Sequence, residues 1–392
     1  MLPLSGITVV ALEHAVAAPF ATRQLADLGA RVIKVERPGA GDFARSYDET
    51  VRGMSSHFVW LNRSKESVTL DLKAPRAAEI MARLVDRADV FVQNLASGAA
   101  ERLGLSAETL LARNPRLIVC DISGYGSDGL YHEKKAYDLL IQGEVGLVSI
   151  TGTEDTPSKT GISTADISAG MYAYSGILTA LYRRERTSKG GHVEVSLFEA
   201  LGEWMAYPLY YARFGGSPPR RTGAHHATIV PYGPYPVGDG RSVMLGLQNE
   251  REWVSFCREV LLQPELAGDP RFEKNSRRLA NREALDEILR EVFGGWTAEE
   301  LVDRLDRAQI ANARANTMEE VWDHPQLKAR GRWRSVDTPV GPVPALIPPC
   351  SLDGVEPRMD PIPSLGEHTD KVLTELGYDS EEIRQLREDS IL

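Results

Sequence analysis

A carboxylate at the start of a helix can do one of two things. It can cap the free amides, or, where it faces a ligand, it can attack a polarised carbonyl. Asp166 poses that choice. Ile167, Met171, Tyr174, Leu178 and Leu181 recur every three or four residues and predict a helix over 163–184. Ser163 or Thr164 can cap its start. Asp166 then falls in the first turn, where the helix dipole favours an anion. Ala165, Ser168, Ala169, Gly170, Ala173 and Gly176 keep much of the helix surface small, so another backbone or a ligand can come close.

Other chemistries find little support. His225 and His226 are adjacent in a Pro/Arg-rich loop and lack obvious metal-ligand partners. His132-Glu133 is not followed by the second histidine of a zinc-protease helix. Cys120, Cys257 and Cys350 lie far apart, which argues against a zinc ribbon or a disulfide framework and fits a reducing cytoplasm. No phosphate-binding P-loop and no Gly-x-Ser-x-Gly elbow occur. We therefore expect no metal. The 392 residues carry 45 Lys+Arg against 55 Asp+Glu, a net charge of −10, which speaks against a dedicated nucleic-acid binder. No signal peptide and no apolar run long enough for a membrane span are visible, so a cytoplasmic location without membrane or nucleic-acid partners is expected.

The elements that must position Asp166 read as alternating strands and helices. Residues 7–12, 31–35, 90–93 and 117–122 are short β-branched runs, and Val68–Leu72 alternates as a strand does. Pro19 and Pro75 suit helix starts, Gly29 suits a helix end, and Ile80, Met81, Leu84, Val85 and Ala88 share one helix face. This is an α/β pattern with a mostly parallel sheet. Yet the first strand runs into Glu13–Phe20 without a glycine, so a dinucleotide fingerprint is missing. A strand at 192–197 and a helix from Phe198 follow. Composition changes near 215, and Tyr232–Pro236 reads as a turn cluster before a strand at 242–247. Helices are expected at 251–262, 281–293, 297–308 and 367–389, with an extended, proline-rich return over 339–363.

Several ordered motifs then resemble one family. Leu4–Val10 (LSGITVV), Leu25–Glu36 (LADLGARVIKVE), Asn62–Lys73 (NRSKESVTLDLK), Ala88–Asn94 (ADVFVQN), Asn114–Ile118 (NPRLI) and Ser123–Gly126 (SGYG) are similar to the opening of family III CoA-transferases. Tyr137-Asp138, Asp166–Gly170 (DISAG), Val193–Leu197 (VEVSL) and Pro325–Gly331 (PQLKARG) continue the likeness along essentially the whole chain.

The resemblance implies a large Rossmann-like domain with a parallel sheet, a smaller α/β domain and an interlocked homodimer. We place the large CoA-binding domain at 1–214, the small domain at 215–335, and a returning linker with C-terminal helices at 336–392. The resemblance makes Asp166 the catalytic carboxylate, forming an anhydride and then an aspartyl-CoA thioester. It also implies coenzyme A contacts at Val16, Ala17, Arg37, Leu70 to Lys73, Asn94, Leu95, Arg102 and Lys135. CoA would enter as a substrate thioester, with no permanently bound cofactor. Related racemases carry a histidine where Tyr137 stands. A phenol is a poor base near neutral pH, so transfer is favoured over racemisation, with Asp138 beside the reaction centre. Gln248 and Asn249 stand where formyl-CoA transferases have a glycine-rich loop. This points to C4–C5 dicarboxylates such as itaconate, mesaconate or citramalate, with succinyl-CoA as donor. Arg45, Arg251 and Arg314 are candidates for a distal carboxylate. Intramolecular transfer within mesaconyl-CoA, an α-methylacyl-CoA racemase and a CoA-binding protein without catalysis are the alternatives.

Overall fold

The structure, a computed structural model, describes all 392 residues. The chain divides into two compact units: residues 1–145, 160–206 and 326–392, and residues 146–159 and 207–325. The change in composition at 215 falls inside the second unit rather than at its edge. The helix Ala206–Gly215 (AYPLYYARFG) is as apolar and aromatic as the segment before it, so composition does not register the crossing.

In the first unit β1 (Thr8–Leu12), β2 (Arg31–Glu36), β3 (Lys65–Thr69), β4 (Val90–Gln93), β5 (Ile118–Ser123) and β6 (Gly191–Ser196) form one sheet in the order β3-β2-β1-β4-β5-β6. Every neighbouring pair is parallel. Val9, Val10 and Ala11 are fully buried, as expected of a central strand covered on both faces. One cover comes from the helices Pro75–Asp86, Thr369–Glu375 and Ser380–Glu388, whose Ile80, Met81, Leu84, Leu373 and Leu386 pack with Val10, Ile33, Phe91 and Val119. The helices Ala17–Asp27 and Thr164–Thr187 pack on each other. Strand order reverses between β1 and β4, so the loops leaving those two strands frame the crevice where open α/β sheets take ligands.

One strand differs from the sequence reading here. β3 begins three residues before Val68 and ends at Thr69: Leu70 N–H makes the last bond to β2, at the Glu36 carbonyl (2.9 Å), and Asp71 N–H turns away to the Ile391 carbonyl (2.7 Å). The proline-rich return is stitched along β3: Asp360 N–H donates to Ser64 Oγ (2.8 Å), Gly366 N–H to Ser67 Oγ (2.9 Å) and Thr69 N–H to Thr369 Oγ1 (3.0 Å).

The second unit is built on Trp253, Phe256, Phe272, Leu285, Leu289, Phe293, Leu301 and Leu305, all buried. Its helices lie beside an antiparallel sheet of β7 (Tyr232–Pro236), β8 (Ser242–Gly246) and β9 (Ala311–Arg314), in that order. Tyr232–Pro236 is thus a strand and not the turn cluster expected. β7 is an edge strand, where Pro234 and Pro236 do not need to supply ladder donors on the open side. No helix is long and apolar enough to cross a membrane.

Candidate active site

Asp166 lies in the first turn of the Thr164–Thr187 helix, half-buried. The expected serine or threonine cap is not what satisfies this helix: Ser163 stands at the cap position but makes no side-chain cap bond. The carboxylate of Asp138 does that work from another helix, Asp138–Glu144. Its Oδ1 accepts the Ala165 N–H at 2.8 Å and the Asp166 N–H at 3.4 Å. Its Oδ2 accepts from Gln142 Nε2 (2.7 Å), and Gln142 Oε1 in turn accepts the Thr160 N–H (3.0 Å). Asp138 is therefore fixed on both oxygens.

This arrangement reverses the electrostatics expected of Asp166. A free helix start would favour its anion, but the positive end is already answered by Asp138. Burial, and then the negative charge of Asp138, push the Asp166 carboxyl up to about 7. A carboxylate so desolvated is a stronger nucleophile than one in water.

Gly170 explains how the helix gets this close to its neighbour. A Cβ there would stand 2.6 Å from the Ala17 carbonyl oxygen, so only glycine lets the two helices meet. The N-terminus of the Ala17–Asp27 helix thereby lies one turn from Asp166. Val16 caps that helix without a side-chain bond, and Val16 and Ala17 are buried.

A cleft of about 570 Å³ opens at the C-terminal ends of β1–β4, lined among others by His14, Arg37, Leu70, Lys73 and Leu95. Six of the residues the resemblance implied, Arg37, Leu70 to Lys73 and Leu95, thus share one wall. Arg37 and Lys73 are exposed and have no carboxylate partner, which leaves their charge free for an anion. Asn94 works differently: its Oδ1 accepts the His14 N–H and its Nδ2 donates to the His14 carbonyl, both at 2.9 Å. It ties the β4 loop to the β1 loop across the switch point. Arg102, which ends the short helix Ala99–Arg102, and Lys135 on the loop before Tyr137 are exposed and do not line this cleft.

Other expectations fare differently. Arg45 is no free clamp for a substrate carboxylate, because Glu36 holds it bidentately (2.8 and 2.7 Å) and its guanidinium lies 3.8 Å over the Phe58 ring. In the second unit Asn249 caps the helix Glu250–Ser255, its Oδ1 accepting from Glu252 N–H (3.0 Å) and its Nδ2 donating to Glu252 Oε1 (2.8 Å). The amide expected for a substrate is thus engaged in its own helix. Gln248 donates its backbone N–H to Glu252 Oε2 (2.6 Å). Arg251 lies on that helix beside Gln248, whereas Arg314 pairs with Val243 at the opposite end of β8 from Gly246. His225 meets Tyr235 edge to face and His226 stacks on Tyr232, and no group of three or more His, Cys, Asp or Glu is arranged to hold a metal ion.

Tyr47 was not anticipated. Burial and the charges of Asp42, Asp166 and Tyr137 raise its hydroxyl above the usual value, which puts it in the electrostatic reach of Asp166. Tyr137 itself is 73% exposed. No spacing signals Tyr47, which precedes Asp166 by more than a hundred residues.

A match to the model of CoA-transferase family III runs from residue 4 to residue 369. The chain belongs to that family. Among its family III relatives, the succinate–glutarate CoA-transferase of Agrobacterium fabrum is 34% identical, over 95% of this chain and 96% of the relative. The acetyl-CoA:oxalate CoA-transferase of Acetobacter aceti is 36% identical over 84% of each. The crystal structure of a CAIB/BAIF family protein from Brucella suis superposes with a TM-score of 0.83 and 36% identity, covering 96% of this chain and 99% of that one.

Proposed function

We propose that this family III chain moves CoA from succinyl-CoA to a C4–C5 dicarboxylate through a covalent intermediate on Asp166. The observation that carries the reading is the desolvated Asp166 carboxyl, pushed up to about 7 at the contact between two helix N-termini.

Asp166 attacks the thioester carbonyl carbon. The C–S bond breaks, leaving a mixed anhydride and CoA thiolate. The thiolate attacks the Asp166 acyl carbon, which frees the donor acid as its carboxylate and leaves an aspartyl-CoA thioester. An acceptor carboxylate attacks that thioester and gives a second anhydride and thiolate. The thiolate then takes the acceptor acyl group and Asp166 is restored. No net proton or water is consumed, so the thioester's energy is kept as long as water stays out. Arg37 and Lys73 suit the phosphates of CoA. Leu70 and Leu95 suit its apolar arm, and the amides of Val16 and Ala17 suit its carbonyls. Tyr137 in place of a histidine favours transfer over α-proton exchange.

The dicarboxylate assignment is supported by the glutarate relative. CoA is a substrate in this reading, and no permanent cofactor is needed. A homodimer, interlocked as the family resemblance implies, would cover large apolar side chains left exposed at Tyr182, Trp204, Tyr210 and Phe214. The test is an exchange assay with succinyl-CoA against itaconate, mesaconate, citramalate, glutarate, oxalate and monocarboxylates of matched length. The dicarboxylates of four and five carbons should lead by about tenfold or more, the worth of a charge-assisted pair. Oxalate or a monocarboxylate in the lead overturns the acceptor assignment.

A further inference from the structure

Four charged side chains are buried beneath the loop between β1 and the Ala17–Asp27 helix: Glu13, Lys34, Asp42 and Lys65. All four are shut off from solvent, and replacing such a cluster by apolar residues is often neutral or stabilising. Their hydrogen bonds show a different use. Lys34 Nζ donates to Asp42 Oδ2 (2.7 Å), to Glu13 Oε1 (3.3 Å) and to the Glu13 carbonyl (3.2 Å). Lys65 Nζ donates to Glu13 Oε1 (2.6 Å), Asn62 Oδ1 (3.1 Å) and the Pro19 carbonyl (3.2 Å). Asp42 Oδ1 accepts the N–H groups of Ala15 and Ala44, both at 2.9 Å.

The loop is thus gripped at Glu13 by Lys34, at Ala15 by Asp42 and at Pro19 by Lys65, while Asn94 holds His14 on both sides. At the centre of these grips Ala15 has φ +59°, a left-handed conformation that a residue with a Cβ avoids. Immediately after it come the uncapped amides of Val16 and Ala17. A rotation at Ala15 would swing those amides away from the Asp166 helix.

We propose that Asp42, braced by Lys34, is a positioning residue that holds Ala15 in its left-handed conformation and thereby aims the Val16 and Ala17 amides at bound acyl-CoA. The inference rests on the CoA contacts of the proposed function. Without the Asp42 grip the loop relaxes toward negative φ, and the fraction of protein able to bind falls by about tenfold. Glycine at 15 adopts positive φ as readily as negative and so restores most of that fraction.

The experiment is a double-mutant cycle of Asp42→Ala, which removes the acceptor of the Ala15 amide, and Ala15→Gly, read as CoA affinity by calorimetry and as KM and kcat for succinyl-CoA, with melting curves to establish folding. Asp42→Ala should weaken CoA by about tenfold and raise KM more than it lowers kcat. Adding Ala15→Gly should bring CoA affinity back to within about threefold of wild type. A double variant no tighter than Asp42→Ala alone overturns the proposal, because a general loss of structure is not repaired by one glycine. So does an Asp42→Ala protein that binds CoA as wild type does. If Asp42→Ala does not fold because Lys34 is left short of a partner, the same cycle in a Lys34→Met background gives the same two outcomes. Because CoA affinity needs no turnover, a wild type that transfers CoA to none of the acids would refute the proposed reaction and leave this cycle readable.

Discussion

Asp138→Asn should separate the two effects that set the Asp166 carboxyl. A free aspartate titrates near 3.9, so about 7 in the folded protein is a displacement of about 3 units, or ~4 kcal/mol against ionisation. Burial is the larger cause and the Asp138 charge the second. Asparagine at 138 keeps an oxygen to accept the Ala165 and Asp166 amides, so the helix start stays capped while the negative charge goes. A like charge at this range is worth about one unit. The pH dependence of kcat/KM for acyl-CoA reports the free enzyme, and only ionised Asp166 attacks. Wild type should therefore show an acid limb near pH 7, with about 10% of the protein active at pH 6. In Asp138→Asn the limb should move down to about pH 6, still above the range of a solvated carboxylate because burial remains. The ratio of variant to wild-type kcat/KM should rise several-fold between pH 8.5 and pH 6. An acid limb that stays in place, or moves up, would refute the account of how Asp166 is tuned.

Three further outcomes follow from the same geometry. Asp166→Asn should stabilise the unliganded protein. Because the folded pKa lies above the unfolded one, stability is lost as pH rises from about 4 through about 7, so the gain of the variant should grow over that window and level off above it. About 2 kcal/mol is expected in denaturant unfolding at pH 8, half the full figure because the side chain still touches water; equal stability at pH 4.5 and pH 8 would contradict this. Gly170→Ala should cost about 1–3 kcal/mol and lower kcat, since its methyl would meet the Ala17 carbonyl at 2.6 Å; a variant with unchanged melting and turnover would remove the reason given for that glycine. Arg37→Ala should raise KM for acyl-CoA about tenfold with kcat nearly kept, and weaken the dependence of KM on salt; an unchanged KM would take Arg37 out of the CoA site.

Local signals survived folding well. Val90–Gln93 is bounded as a strand where its β-branched run ends, and the 3.6-residue rhythm after Ser163 gives the Thr164–Thr187 helix. Gly29 stands just beyond the end of its helix at φ +103°, as a terminating glycine should. Arg37, Leu70, Lys73 and Leu95, which the motifs named together, line one cleft because each leaves the C-terminal end of a strand in the same sheet. What could not be read were partnerships made across the chain. Asp138 caps a helix 27 residues further on, a bond with no local pattern. Arg45 seemed available for a substrate until Glu36, on β2, was seen to hold it. Asn249 looked like a binding amide, and its place before Glu252 makes it a cap. The left-handed Ala15 had no glycine to announce it, since the buried Asp42 and not the residue type sustains that conformation.

The central claim is that Asp166 carries the acyl group and then CoA. Its most direct measurement is mass spectrometry of the protein after incubation with succinyl-CoA, quenched with hydroxylamine or borohydride. Peptides should be modified at Asp166 alone, in proportion to turnover, and Asp166→Ala should show no modification and no transfer while still binding CoA. Modification at a different carboxylate, or near-normal turnover by Asp166→Ala, would contradict the account.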